Sequence, residues 1–252
     1  MLSKNQIKEL QSLQLKKFRD QKKLFIAEGI KTVTEIISSR PALIHQVLAT
    51  EDFINGHAAT LKTAGTAASL ITGEELKKIS LQNSPNHVLA VCRYFESPAH
   101  DYNFENKFSL YLDDIRDPGN FGTIVRLADW FGISKVFCSP SSCDLYNPKV
   151  IQASMGAFLR VEVVYDELDK IIAANKIETV YGALLNGSNL YRERLTNGFI
   201  VIGNEANGIN DYNLKYINKP VLIPAHRSNG TESLNAAMAA SIIVSEFFRQ
   251  LN

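Results

Sequence analysis

The sequence predicts two α/β domains in succession, a small N-terminal one and a larger C-terminal one built on a mainly parallel sheet. Three observations lead there. Short apolar runs without polar alternation recur with helical stretches between them, the pattern of strands covered on both faces. The charge balance changes sign along the chain, with 13 basic and 9 acidic side chains in residues 1 to 98 against 14 and 17 in the remainder. Where it changes, Ser97 to Asn106 is poor in periodic apolar residues and reads as a linker.

In the first domain, residues 1–97, strands are expected at Phe25–Glu28, Ile44–Ala49 and Val88–Cys92, with a helix over Lys31–Ser38. Its first 31 residues hold eight basic groups, including Lys16, Lys17, Arg19, Lys22 and Lys23, against three acidic ones. That density suits contact with phosphates, although a solvated helix face has the same composition.

A linker at 98–106 leads into the second domain, 107–252, with strands expected at Ser109–Leu112, Lys135–Cys138, Val161–Val164, Thr179–Leu184, Phe199–Ile202 and Val221–Ile223. Runs this short suit a parallel sheet with crossover helices.

Composition bounds the class: of 252 residues 45% are apolar and 21% charged, which favours folded domains over disorder. Neither a signal peptide nor a membrane span is read from the sequence, so a cytoplasmic protein without membrane contact is expected. The three cysteines, Cys92, Cys138 and Cys143, lack zinc-ligand spacing and are expected to be packed thiols, with no metal bound.

Three loops of the second domain could carry chemistry. In Asp113 to Arg126, Pro118 and Gly119 suit a turn, Asn120 a helix cap, Gly122 close approach of a ligand, and Arg126 lies one turn beyond Gly122. A capped helix with a surface arginine paired to Asp129 would read the same. In Gly203-Asn204-Glu205-Ala206-Asn207-Gly208, a carboxylate sits between glycines just past a strand, at the sheet end where open α/β folds bind ligands. A tight turn with a solvated acid is the plainer reading. In Ile223 to Met238, Ser233 and Asn235 precede a final helix of small residues and could be ordinary capping groups.

Together these segments resemble the SpoU (TrmH) class of SPOUT RNA methyltransferases over nearly the whole chain. The family's N-x-G-x-x-x-R is met by Asn120, Gly122 and Arg126, its G-x-E-x-x-G by Gly203, Glu205 and Gly208, and its Ile-Pro with a later Ser-Leu-Asn by Ile223, Pro224, Ser233, Leu234 and Asn235. Asn147-Pro148-Lys149 and Ala153 to Ala157 resemble it too, and Lys17 to Gly29 resembles the start of the ribosomal-protein-like substrate-binding domain of many members. Two departures are a lengthened loop at 225–232 and Ala236-Ala237 where Val-Ser is commoner.

The resemblance implies a catalytic domain with a deep trefoil knot, which general folding rules would not suggest. It implies S-adenosylmethionine as methyl donor, with Gly203, Ile223 and Leu234 lining its pocket, and transfer of the methyl to a ribose 2′-hydroxyl of ribosomal or transfer RNA, ribosomal by preference. It implies a homodimer. Arg126 is the first catalytic candidate: a guanidinium stays protonated, so it would position a phosphate and stabilise charge on the oxygen, with base action through a bound phosphate left open. Asn120 and Glu205 would organise Arg126 and the substrate, Ser233 and Asn235 would support the pocket floor, and Lys16, Lys17, Arg19, Lys22 and Lys23 would meet RNA phosphates.

Two other classes compete. A nucleotide-dependent dehydrogenase would need G-x-G-x-x-G, and neither that nor the P-loop pattern is present. A non-catalytic RNA-binding protein of the same fold, acting in ribosome assembly, is the stronger alternative, opposed by the intact Asn120, Arg126, Glu205 and Asn235.

Overall fold

In the computed structural model, which describes residues 1–82, 84–96, 102–103, 108–226 and 233–251, the chain divides into two units, Met1–Ser97 with Asp144–Leu159 and Pro98–Cys143 with Arg160–Asn252. Apart from Tyr102 and Asn103, the expected linker 98–106 lies outside the described residues, as does 227–232 of the lengthened loop.

The first unit opens with α1 (Lys4–Ser12), begun by a capping box: the Ser3 hydroxyl accepts from Gln6 N, and the Gln6 side chain accepts from Ser3 N. There follow α2 (Lys16–Lys22), β1 (Leu24–Glu28), α3 (Ile30–Ser39), β2 (Ile44–Ala49), α4 (Glu51–Gly56), α5 (Ala58–Thr63), β3 (Ala68–Leu70), α6 (Gly73–Ile79) and β4 (Val88–Arg93). The sheet order is β1-β4-β2-β3; β4 is antiparallel to both its neighbours, and β2 is parallel to β3. Leu13, Ile26, Leu48, Ile79 and Leu89 are buried at its core, each worth about 1.5–3 kcal/mol of transfer free energy. The short β3 escaped the sequence reading because its Ala-Ser-Leu run carries no strand pattern.

The second unit runs β5 (Phe108–Leu112), α7 (Pro118–Trp130), β6 (Lys135–Cys138), then, past α8 (Pro148–Ser154), β7 (Glu162–Tyr165), α9 (Leu168–Asn175), β8 (Val180–Asn189), β9 (Gly198–Ile202), α10 (Asp211–Leu214), β10 (Lys219–Leu222) and α11 (Ala236–Leu251). Its six strands lie in the order β10-β8-β9-β5-β6-β7 and all pair in parallel. Every residue of β5 and β6 is buried, as expected of strands covered on both faces. Phe137, Leu168, Ile171, Phe199 and Val201 share the core. This is the two-domain α/β architecture expected from the sequence.

Two features differ from expectation. Strand β8 extends to Asn189, and its pairing with β10 slips between Pro220 and Val221. There Gly187 lies so close to β10 that a Cβ would stand 2.6 Å from Val221 backbone. The sequence groups 144–159 with the C-terminal domain, whereas these residues cluster with the first unit. The Tyr146 ring stacks on Tyr94 with centroids 3.7 Å apart, and Phe158 meets Phe25 edge-on at 6.0 Å; aromatic surface is buried where a partner surface exists. No helix among the described residues is long and apolar enough to cross a membrane.

Candidate active site

Because the sheet is parallel, the C-terminal ends of β5, β9 and β10 share one edge, and the loops with the sequence motifs leave from there. Strands β5 and β9 are neighbours with Leu112 paired to Ile202, and Asp113 N donates to Ile202 O at 2.9 Å. The next loop is pinned in turn: the buried Asp113 carboxylate accepts from Asn210 N at 2.7 Å.

Helix α7 starts differently from expectation. Asp117 is its cap, accepting from Asn120 N at 2.8 Å, and Pro118 occupies the first helical position, where a missing N–H costs nothing. Pro118 and Gly119 therefore belong to the helix, not to a turn. Asn120 is the third residue of α7, and its side chain is left to reach across the site.

The loop after β9 is a closed hairpin. Asn204 and Gly208 exchange main-chain hydrogen bonds, both at 2.9 Å. The Asn204 amide oxygen accepts from Ala206 N and Asn207 N, while its Nδ2 donates to Asp114 O at 2.8 Å. A Cβ on Gly203 would stand 2.4 Å from the Gly208 carbonyl carbon, and Gly208 has φ +70°, so both motif glycines have steric reasons. Glu205 sits at the tip, half-buried.

Three distant segments meet here. Asn235 caps α11 through Oδ1, which accepts from Ala237 N at 3.0 Å and Met238 N at 3.2 Å. Its Nδ2 is thereby turned outward, and donates to Asn120 Oδ1 at 2.7 Å. Asn120 Nδ2 in turn donates to Glu205 Oε1. An ionised carboxylate only accepts, so the polarity of this relay is set at both ends, by the helix cap and by the acid.

Arg126 is exposed on α7 and makes no hydrogen bond or ion pair among the described residues. Asp129, its possible partner, is taken by Arg160 through contacts at 2.8 and 2.7 Å. Asn120 is bonded to both Glu205 and Asn235, and neither Asn120 nor Glu205 hydrogen-bonds Arg126 among the described residues. Ser233 is exposed without a hydrogen bond among the described residues, so it gives the site no observed hydrogen-bonded floor. Ile223 is half-buried and Leu234 is 39% exposed. Burial pushes the Tyr111 hydroxyl and Cys138 thiol upward from their ordinary ranges, which removes both as bases near neutral pH.

Sequence reasoning missed Asp113, Asp114, Asp117 and Asn204. Asp117 was legible as an Asp-Pro cap pair. Asn204 carried only the local signal of a turn, since the partner that ties it across the site, Asp114, lies 90 positions away.

In the basic N-terminal segment one expectation is corrected. Arg19, expected at RNA phosphates, is 2% exposed; its guanidinium donates to Asp144 Oδ2 at 2.6 Å, Leu13 O at 3.0 Å and Gln14 O at 2.8 Å. It is held inside because Asp144 neutralises it and the Leu13 and Gln14 carbonyls take both Nη1 protons, although its buried Nε has no hydrogen-bond partner among the described residues. Lys22 is paired with Glu9, and Lys23 lies 5.5 Å from the Tyr94 ring centroid. Lys16 and Lys17 are exposed and carry no ion pair among the described residues.

Comparison with known proteins covers both parts of the chain. A profile of the SpoU rRNA Methylase family matches residues 107–245, and one of the MRM3-like substrate binding domain matches residues 4–90. The 23S rRNA (guanosine(2553)-2′-O)-methyltransferase RlmP of Bacillus subtilis is 28% identical over 96% of both chains. A solved TrmH-family structure from Porphyromonas gingivalis is 36% identical, covers 99% of both chains and superposes with a TM-score of 0.82. The AdoMet-bound rRNA methyltransferase from Sinorhizobium meliloti, 23% identical, covers 100% of this chain and 97% of its own with a TM-score of 0.83, a likeness of fold.

Proposed function

The chain belongs to the SpoU rRNA methylase family, and from that premise we propose that it methylates a ribose 2′-hydroxyl of ribosomal RNA with S-adenosylmethionine as donor. The observation that carries this reading is the Asn235–Asn120–Glu205 relay at the C-terminal edge of the parallel sheet, on the helix that also bears the unpaired Arg126.

The residues present suit the donor. Gly203 and Leu234 have main-chain groups without hydrogen-bond partners among the described residues, free to meet a purine edge and ribose, and the half-buried Ile223 just past β10 offers apolar surface. Bound there, S-adenosylmethionine would supply an electrophilic methyl on a sulfonium and would leave as the neutral thioether S-adenosylhomocysteine, the ribose hydroxyl giving its proton to water.

The chain's task is to align the hydroxyl oxygen and to stabilise the negative charge that grows on it. Arg126 supplies a permanent positive charge that no internal carboxylate neutralises among the described residues. The relay holds the Glu205 carboxylate in one orientation, so that its second oxygen can accept a hydrogen bond from the ribose. Exposed Lys16 and Lys17 meet backbone phosphates of the RNA. The protein works as a homodimer, a reading supported by Trp130, 83% exposed on α7, and by exposed Met238 and Phe248 on α11, which packs against α7.

The test is mass spectrometry of digested ribosomal RNA from cells with and without the protein, where one ribose methylation is expected to disappear. Arg126→Ala should fold and bind the donor but lose about 10²–10³-fold in kcat; full methylation by that variant would remove Arg126 from the mechanism. Absence of donor binding by calorimetry would favour the non-catalytic RNA-binding protein.

A further inference from the structure

Arg116 lies in the loop from β5 to α7, two residues before the helix that presents Asn120, and takes no part in the relay. Its side chain is 69% exposed, and its Nε donates to Asp114 Oδ1 at 2.9 Å. No other hydrogen bond or ion pair engages it among the described residues, so four of its five N–H donors are uncommitted.

The anchor beneath it is unusually well fixed for an exposed ion pair. Asp114 sits at φ +56°, a backbone conformation uncommon for a non-glycine residue. Its N–H donates to Ser139 Oγ at 2.8 Å, and its carbonyl accepts from Asn204 Nδ2 at 2.8 Å. Asn204 closes the hairpin that carries Glu205. On the other side, Asp117 follows Arg116 directly and caps the helix that presents Asn120. Arg116 is therefore tethered to both halves of the relay's support, with its fork of Nη donors turned to solvent.

An exposed pair such as Arg116–Asp114 adds little stability by itself. What the pairing does is orient: with Nε committed, the planar guanidinium retains an Nη edge that matches two oxygens of a phosphodiester. The Asp114 carboxylate weakens but does not abolish the attraction, because the exposed pair is screened by water and the phosphate uses donors that Asp114 does not.

We propose that Arg116 is a positioning residue that clamps a backbone phosphate next to the target ribose, while Arg126 serves the reacting oxygen. This rests on the reading of the site as an RNA ribose methyltransferase, and it names the part of the substrate that Arg116 holds.

Arg116→Gln and Arg116→Lys test it in the full-length protein, with ribosomal RNA as the probe. The Gln variant should raise KM for RNA about tenfold with kcat within about twofold of the parent. It should flatten the dependence of log binding constant on log salt by about 0.7–0.9, the share of one phosphate. Donor affinity should not change, and Lys should restore most of the salt slope.

Unchanged KM and slope would overturn the proposal. So would a fall in kcat and thermal stability with the slope intact, which would mean that Arg116 merely braces the Asp114 turn. Because RNA binding is measured apart from methyl transfer, a parent protein that binds RNA but transfers no methyl would sink the activity while leaving the Arg116 result readable.

Discussion

The side-chain amide of Asn235 donates from Nδ2 to Oδ1 of Asn120 at 2.7 Å, joining residues 115 positions apart in the chain. The bond has one possible direction, because Asn235 Oδ1 is committed to the first N–H groups of α11 and Asn120 Nδ2 to Glu205.

Asn235→Asp separates capping from relaying. Aspartate caps a helix as well as asparagine, so the melting temperature should stay within about 2 °C of the parent. A carboxylate oxygen facing Asn120 Oδ1 would force that amide to turn and set its oxygen against Glu205. Methylation should fall about 10²-fold, measured as single-turnover rate at saturating donor. A variant with parental rate would show that the relay has no catalytic role.

Gly203→Ala should be worse than Gly208→Ala, for different reasons. At Gly203 the new methyl meets Gly208 and Ile209 backbone at 2.4 Å, so the hairpin that carries Glu205 must shift. Its stability should drop by about 1–3 kcal/mol, with weaker donor binding. At Gly208 nothing lies within 4 Å, and the strain comes from φ +70°; the cost there is about 1–2 kcal/mol. Urea denaturation with calorimetric donor titration checks both.

Arg19→Gln should damage the fold, not RNA affinity. It leaves the Asp144 carboxylate without its guanidinium, and breaking a buried pair from one side costs about 3–5 kcal/mol. Lys16→Ala with Lys17→Ala should do the reverse, preserving stability while reducing the salt slope of RNA binding by about one phosphate for each lysine. Chemical denaturation paired with binding at several salt concentrations separates the outcomes.

Acid should destabilise the second unit through Asp166 and Glu246. Burial pushes the Asp166 carboxyl upward, but hydrogen bonds from Lys170, Tyr102 and Glu167 N outweigh it and bring it to about 2. The Arg249 hydrogen bond takes Glu246 to about 2 against its burial. Both folded values lie below the unfolded ones, near 3.8 and 4.5. The unfolded chain therefore binds more protons in this window, and the stability these groups add is full above it and lost as pH falls toward 2. Denaturation midpoints should decline over that range, and Asp166→Asn should decline less steeply; an unaltered slope would contradict the assignment.

Much of the molecule was legible locally. Strand β6 spans the expected Lys135–Cys138 and ends where its apolar run does, and Asp117-Pro118 carries a cap and a first helical residue in two letters. Other features were not. Arg19 sits among lysines in a basic run, and nothing nearby distinguishes a buried guanidinium from exposed ones, since the deciding partner is Asp144, 125 positions on. The extension of β8 was hidden because Asn186, Gly187 and Ser188 are turn residues by composition and are strand residues only where β10 pairs with them.

By itself the amino-acid order determined where apolar runs alternate with helices, that the larger sheet is parallel, and which residue types stand past each strand, because periodicity and capping act within a few residues. Only the tertiary structure decided that Asn120 meets Glu205 and Asn235, that Asn204 and not Ser233 braces the site, and that Arg19 is interior. The reason is sheet order: β9 lies beside β5, so loops 85 positions apart share one edge, and side-chain hydrogen bonds exist only where such neighbours bring a donor and an acceptor within reach.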